Sequence, residues 1–187
     1  MEARSLLDIL QVAEGLKDVP RHSYTKNGRR ESVAEHCWML ALMAFLVKEE
    51  FPDANMEKVI RMCLIHDLGE AFTGDIPTFD KTAADMEKED ALFDRWVRTL
   101  PRETKQEFSA LLAEMNALET PEAKIYKALD KMEAVIQHNE SDISTWIPLE
   151  YDLQLRYGAE NVRFSPWFQS LKAEIDDWTR RKIAENQ

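Results

Sequence analysis

Proline placement is the feature that most constrains this chain. All seven prolines fall where a helix can begin or stop. Pro101, Pro121 and Pro166 suit a first helical position, where the missing N–H breaks no hydrogen bond. Thr120 and Ser165 stand just before two of them as N-caps. Pro20, Pro52, Pro77 and Pro148 lie in connections. Between these marks apolar residues recur at helical spacing: Leu6, Ile9, Leu10, Ala13 and Leu16; Val59, Ile60, Cys63 and Leu64; Ile125, Leu129, Met132 and Ile136; Phe168, Leu171, Ile175 and Trp178. No strand-like alternation of useful length appears. The expected fold is all-α, a single compact bundle of about six to eight helices over 1–187. The helices fall near 4–18, 32–51, 55–68, 82–99, 101–117, 121–140, 146–158 and 166–184. The core is expected over about 5–160, with the helix at 166–184 packing on it or on a partner. Five glycines and seven prolines are about half the average share, which disfavours linker-rich, collagen-like and turn-rich all-β chains.

Charge narrows the partners. The formal net charge is −11, with a pI near 4.9. A surface that tracks a nucleic-acid polymer or an anionic membrane needs clustered Lys and Arg, so neither is expected. The only two cysteines, Cys37 and Cys63, sit in apolar surroundings and read as buried free thiols rather than a disulfide or zinc framework. The N-terminal segment carries Glu2, Asp8 and Glu14 and lacks a signal-peptide layout. The longest apolar run, Cys37 to Val47, is far shorter than the roughly 20 residues that span a bilayer. A cytoplasmic protein is expected.

Three segments carry chemistry. Ser32-Val33-Ala34-Glu35 has the form of a capping box ahead of an apolar run, which puts His36 in the first turn of a helix. His36 then shares a face with Leu40, Met43 and Val47 and points inward. A hydrogen-bonded core histidine is the plain alternative. In Leu64-Ile65-His66-Asp67-Leu68-Gly69-Glu70, an adjacent His and Asp end an apolar helix. An ionised Asp there is costly unless paired. A divalent cation would pair it, and imidazole plus carboxylate suits Mn, Co, Zn, Fe or Ni better than Ca; a His–Asp helix cap is the alternative. Asp130 borders the stripe Ile125, Leu129, Met132, Ile136; a surface ion pair would also account for it.

Taken together, His36, then His66-Asp67, then Asp130, each on its own helix, resemble the HD-domain superfamily of metal-dependent phosphohydrolases. The stretches Glu31-Ser32-Val33-Ala34-Glu35-His36, His66 through Asp75-Ile76-Pro77-Thr78, and Ala128-Leu129-Asp130-Lys131 look like the 5′-deoxynucleotidase branch. The similarity covers roughly residues 5–160. It implies that His36, His66, Asp67 and Asp130 bind one divalent metal ion (Co, Mn, Zn, Fe, Ni or Mg). It implies that Glu70 acts on the attacking water, that Asp75 sits by the substrate phosphate or ribose, and that Arg21 contacts phosphate.

The residues themselves add support. Glu70 is four positions after His66, so both share a face if the helix continues. Gly74 permits a positive φ or close approach before Asp75. Residues 17–30 hold Lys17, Arg21, Lys26, Arg29 and Arg30 against Asp18 alone, a basic loop able to hold a phosphate. Tyr24 or Trp38 could stack on a base, although core packing suits Trp38 better. Only His22 and His138 remain as further histidines, without partners at helical ligand spacing, so one metal is expected rather than two. The expected activity is hydrolysis of deoxyribonucleoside 5′-monophosphates to deoxynucleoside and phosphate. The alternatives are an HD-type hydrolase of a cyclic nucleotide, a triphosphate or a guanosine polyphosphate, and a regulatory domain that binds metal and nucleotide without turnover. The aromatic stripe of the last helix either closes the core or faces another subunit, and the resemblance implies a homodimer.

Overall fold

Side-chain caps set most of the helix starts. Glu35 donates its backbone N–H to Ser32 Oγ at 3.3 Å, and Glu35 Oε2 accepts the Ser32 N–H at 2.9 Å. Thr82 and Asp85 repeat the same reciprocal cap. Thr120 and Ser165 cap the two helices whose first residues are Pro121 and Pro166. Each such cap contributes about 1 kcal/mol and stops the helix from fraying inward.

The computed structural model describes residues 1–186. Among them lie nine α-helices: α1 (Ala3–Glu14), α2 (Val33–Leu46), α3 (Met56–Ile65), α4 (Glu70–Thr73), α5 (Ala83–Val97), α6 (Arg102–Ala117), α7 (Pro121–Glu140), α8 (Glu150–Arg156) and α9 (Pro166–Ala184). The all-α expectation holds. Seven of the helices fall within the expected ranges, α1 begins one residue before its range, and the one-turn α4 is not among the expected helices. Helix α7 is the central post. It packs against α2, α3, α6 and α9 and buries Ile125, Leu129 and Met132 between them. From α2 come Val33, Leu40 and Ala44; from α3, Val59, Met62 and Cys63; from α9, Phe168 and Ile175. Burying each larger side chain contributes roughly 1.5–3 kcal/mol. Cys37 and Cys63 are buried free thiols, as the composition suggests. None of the described helices is long and apolar enough to cross a membrane.

Three local readings change. First, a short antiparallel hairpin, β1 (Pro20–Tyr24) and β2 (Arg30–Ser32), occupies the stretch read as a basic loop. Its turn carries Asn27-Gly28, with Gly28 at φ 80°, the residue type that such a turn favours. Second, α3 stops at Ile65, and residues 66–69 form tight turns before α4. Third, Trp38 is not in the core: it is 59% exposed. The aromatic stripe of α9 behaves differently, because Phe168 is fully buried and stacks on Phe51.

Candidate functional site

The capping box hands the chain from β2 into α2 and sets His36 one turn inside the helix, where its ring is wholly buried. His36 Nδ1 lies 2.5 Å from Glu133 Oε2 on α7. His66 closes α3, and its Nδ1 lies 2.9 Å from the Cys63 carbonyl oxygen. A carbonyl only accepts, so His66 Nδ1 carries the proton and Nε2 the lone pair. The Glu133 carboxyl orients His36 in the same sense.

The two Nε2 atoms then face each other at 3.2 Å. Asp67 Oδ2 is 2.9 Å from His66 Nε2 and 3.7 Å from His36 Nε2. Asp130 Oδ1 is 3.4 Å from His36 Nε2 and 3.9 Å from His66 Nε2. Ligand atoms of His36, His66 and Asp67 all lie within 4.8 Å of one another and could hold a metal ion. Asp130 is not in that set of three, although its Oδ1 faces the same two ring nitrogens, and acceptor atoms gathered this closely repel unless positive charge lies among them. Two imidazoles, two carboxylates, and outer partners that fix the ring tautomers suit a divalent transition ion. Burial disfavours charge on Asp67, yet His66 and His36 beside it hold its carboxyl well below the usual range. Burial likewise opposes ionisation of Asp130, and Lys131 and Lys127 overcome it.

Glu70 begins α4 rather than continuing α3, so the shared helical face with His66 does not form. The tight turn brings it to the site by another route: its backbone N–H donates to the Asp67 carbonyl at 3.0 Å. The side chain is buried. Burial, then Asp67, Asp75 and Glu89, push its carboxyl up to about 9. Lys81 opposes them from 3.9 Å while binding Glu89 at 2.6 Å. Gly74 ends α4 at φ 79°, a conformation an L side chain resists, and the chain turns there to deliver Asp75. Burial raises the Asp75 carboxyl, while Arg21 and the His22 backbone N–H lower it.

Of the basic residues in 17–30, the structure turns only Arg21 toward these acids. Its Nε lies 3.3 Å from Glu31 Oε2. Glu133, Glu31, Asp67 and Asp75 hold it protonated despite burial. Arg29 pairs with Glu35, and Arg30 lies over the Tyr24 ring. Burial, then Glu133, pushes the Glu31 carboxyl up to about 7.

Sequence reading missed several contributors. Glu133 is three residues after Asp130 on the same helix, a spacing that could have flagged it. Lys81 and Glu89 come from a loop and α5, with no local signal. His22 and His138, set aside as partnerless, converge on the buried Glu150, with Nε2–Oε1 distances of 3.2 Å and 3.5 Å. They line a small, half-open cleft of about 80 Å³ that also touches Arg21 and Asp75.

Comparisons with known proteins identify the family and the fold. A sequence model of the HD domain family matches residues 13–172. A 5′-deoxynucleotidase HDDC2 of Xenopus laevis is 34% identical over 98% of this chain and 92% of its own length. That of Homo sapiens is 32% identical over 74% of this chain and 69% of its own. A crystal structure of a predicted metal-dependent phosphohydrolase from Magnetospirillum magnetotacticum superposes with a TM-score of 0.80, at 30% identity, over 96% of this chain and 93% of that one.

Proposed function

This chain belongs to the HD domain family, and on that premise we propose that it is a metal-dependent 5′-deoxynucleotidase. The substrate is a deoxyribonucleoside 5′-monophosphate, and the products are deoxynucleoside and inorganic phosphate. The observation that carries this reading is the convergence of His36 Nε2, His66 Nε2, Asp67 Oδ2 and Asp130 Oδ1, with Glu70 and Arg21 beside them. The 5′-deoxynucleotidase relatives support the substrate class.

His36, His66, Asp67 and Asp130 would hold one divalent ion; Co, Mn, Zn, Fe, Ni and Mg are the candidates. When bound, the ion supplies Lewis acidity, drawing charge from the phosphoryl oxygens and acidifying water at the site. Glu133 and the Cys63 carbonyl keep both imidazoles turned with Nε2 inward. A cation among the neighbouring carboxylates would offset the repulsion that raises the Glu70 carboxyl; ionised in this way, Glu70 takes the proton of the attacking water from a buried position that bulk solvent reaches poorly. Arg21 binds the phosphate and offsets charge as the bond from phosphorus to the 5′ oxygen breaks. Asp75 faces the sugar and phosphate. The proton taken from water leaves on the 5′ oxygen, so atoms and charge balance.

Phosphate release from a panel of nucleotides, with EDTA treatment and metal add-back, tests the reading. Deoxyribonucleoside 5′-monophosphates should be hydrolysed only with metal, and Asp67→Ala should abolish turnover. Pyrophosphate release or opening of a cyclic phosphodiester would overturn the substrate assignment. Metal-dependent binding with no product from any nucleotide would overturn the enzymatic one.

A homodimer and a cytoplasmic setting belong to the same proposal. Helix α2 is apolar on all sides, a pattern that calls for cover on both faces. Its outer face exposes Trp38, Phe45 and Leu46. The two buried free thiols suit a reducing compartment. Light scattering should give twice the chain mass, and a monomer at high concentration would refute the dimer.

A further inference from the structure

We propose that the cleft along α7 from Asp130 to His138 seats the nucleobase, and that Glu150 and His22 read its hydrogen-bonding edge. This rests on the nucleotide reading above and adds the residues that determine base preference.

Asp130, Ala134 and His138 follow one another at steps of four on one face of α7. They span about 12 Å of helix, the scale of a nucleotide from phosphorus to the far edge of its base. Asp130 stands at the metal-binding end. Arg21, which Asp67 and Asp75 help to hold protonated, lines the cleft together with Asp75, His138 and Glu150. Ala134, the smallest side chain on this face, leaves room between them. Arg21 and His22 both reach the cleft although neighbours in a strand normally face opposite ways. The register of the hairpin is irregular between Pro20 and Tyr24, which accounts for the exception.

The far end is polar and incompletely satisfied. Glu150 is 1% exposed. Its Oε2 accepts the Ile147 N–H at 2.8 Å. Its Oε1 faces His22 Nε2 and His138 Nε2. The alignment with His22 is poor, and His22 Nε2 is a buried polar atom with no hydrogen-bond partner. Such atoms are rare and call for an explanation. Burial, then His22 and Arg21, push the His138 imidazole down to about 3, so it stays neutral. The walls are flat or apolar: Phe79 stands edge-on to His22 at 5.3 Å, and Leu153 and Tyr157 also line the cleft. The Tyr157 hydroxyl bridges Thr78 Oγ1 at 3.0 Å and Lys131 Nζ at 2.9 Å, tying the two rims together.

A flat slot with an acceptor beside an unpartnered imidazole N–H complements an amino group next to a ring nitrogen. Adenine and cytosine present that edge. With the exocyclic group of the base placed at Glu150, thymine presents a carbonyl there, next to its N–H, and would set two acceptors against each other. The slot therefore favours dAMP and dCMP over dTMP.

Three phosphate esters in the metal-loaded protein test this: dAMP, dTMP and 2-deoxyribose 5-phosphate, which has no base. Glu150→Gln keeps an acceptor for the Ile147 N–H but adds a donor. It should narrow the dAMP-to-dTMP ratio of kcat/KM by about tenfold or more, mainly through KM. Ala134→Leu fills the slot. It should raise KM for dAMP at least about tenfold more than for 2-deoxyribose 5-phosphate. Equal losses on all three esters in both variants would overturn the slot. Calorimetric binding of free deoxyadenosine and thymidine separates this failure from failure of the hydrolase reading. Tighter binding of deoxyadenosine that Ala134→Leu weakens supports the slot even if no ester is hydrolysed. Equal binding in wild type and Ala134→Leu overturns it even if esters are hydrolysed.

Discussion

His36 Nδ1 and Glu133 Oε2 lie 2.5 Å apart across the core, joining α2 to α7 between residues 97 positions apart in sequence. Neither side chain reaches solvent, and the other carboxyl oxygen of Glu133 has no hydrogen-bond partner. Glu133 is therefore a positioning residue: it holds the proton on Nδ1 and leaves Nε2 to face the metal site. Glu133→Gln should weaken metal affinity about 10- to 100-fold, read by competition with a chelator. At saturating metal, most of the lost kcat should return. Unchanged affinity would remove Glu133 from the account.

Glu70 is assigned proton transfer rather than binding. Glu70→Gln should lower kcat by roughly 10²–10⁴-fold with little change in KM. Metal content by elemental analysis should match the parent protein. Loss of metal together with activity would mean that Glu70 is a ligand.

Phe168 anchors α9 and is fully buried against Phe51, Phe164 and Trp167. Phe168→Ala leaves a cavity and should cost about 3–5 kcal/mol. A thermal melt should show Tm falling by roughly 10 °C. A shift of only a degree or two would mean that α9 is dispensable to the core.

His138 makes stability fall in acid. In the folded chain its pKa is pushed down to about 3 from the ordinary 6.5, chiefly by burial. Above pH 6.5 it is neutral in both folded and unfolded states and adds no pH dependence. Between 6.5 and 3 only the unfolded chain takes up the proton, so stability drops by about 1.4 kcal/mol per pH unit. Below 3 the loss is complete. Urea melts of wild type and His138→Asn from pH 7.5 to 5 should converge as pH falls. Parallel curves would show that His138 does not stay neutral.

The helical framework was legible because its signals are short-range. Ser32 and Glu35, or Thr120 and Pro121, act within one turn, so a reader of the chain sees both partners at once. The proposed ligands were legible for a different reason: an adjacent His66-Asp67 pair and an inward His36 are expensive in a core unless something compensates. The hairpin was not read, although Asn27-Gly28 marks its turn, because its strands are only five and three residues long. Trp38 was misjudged because helix α2 is apolar all round, and periodicity then gives no direction.

By itself, then, the sequence determined an all-α chain, the helix starts, and the residue types of a cation site. The tertiary structure decided the rest. It stopped α3 at Ile65, so that Glu70 reaches the site from a separate turn. It chose Arg21 from five basic neighbours and set Lys81 and Glu89 beside Glu70. It gathered His22, His138 and Glu150 from three elements into one cleft. The physical reason is distance along the chain. Caps and periodicity act over a few residues, whereas these contacts exist only once α7 has packed against α2 and α3 and closed the space between them.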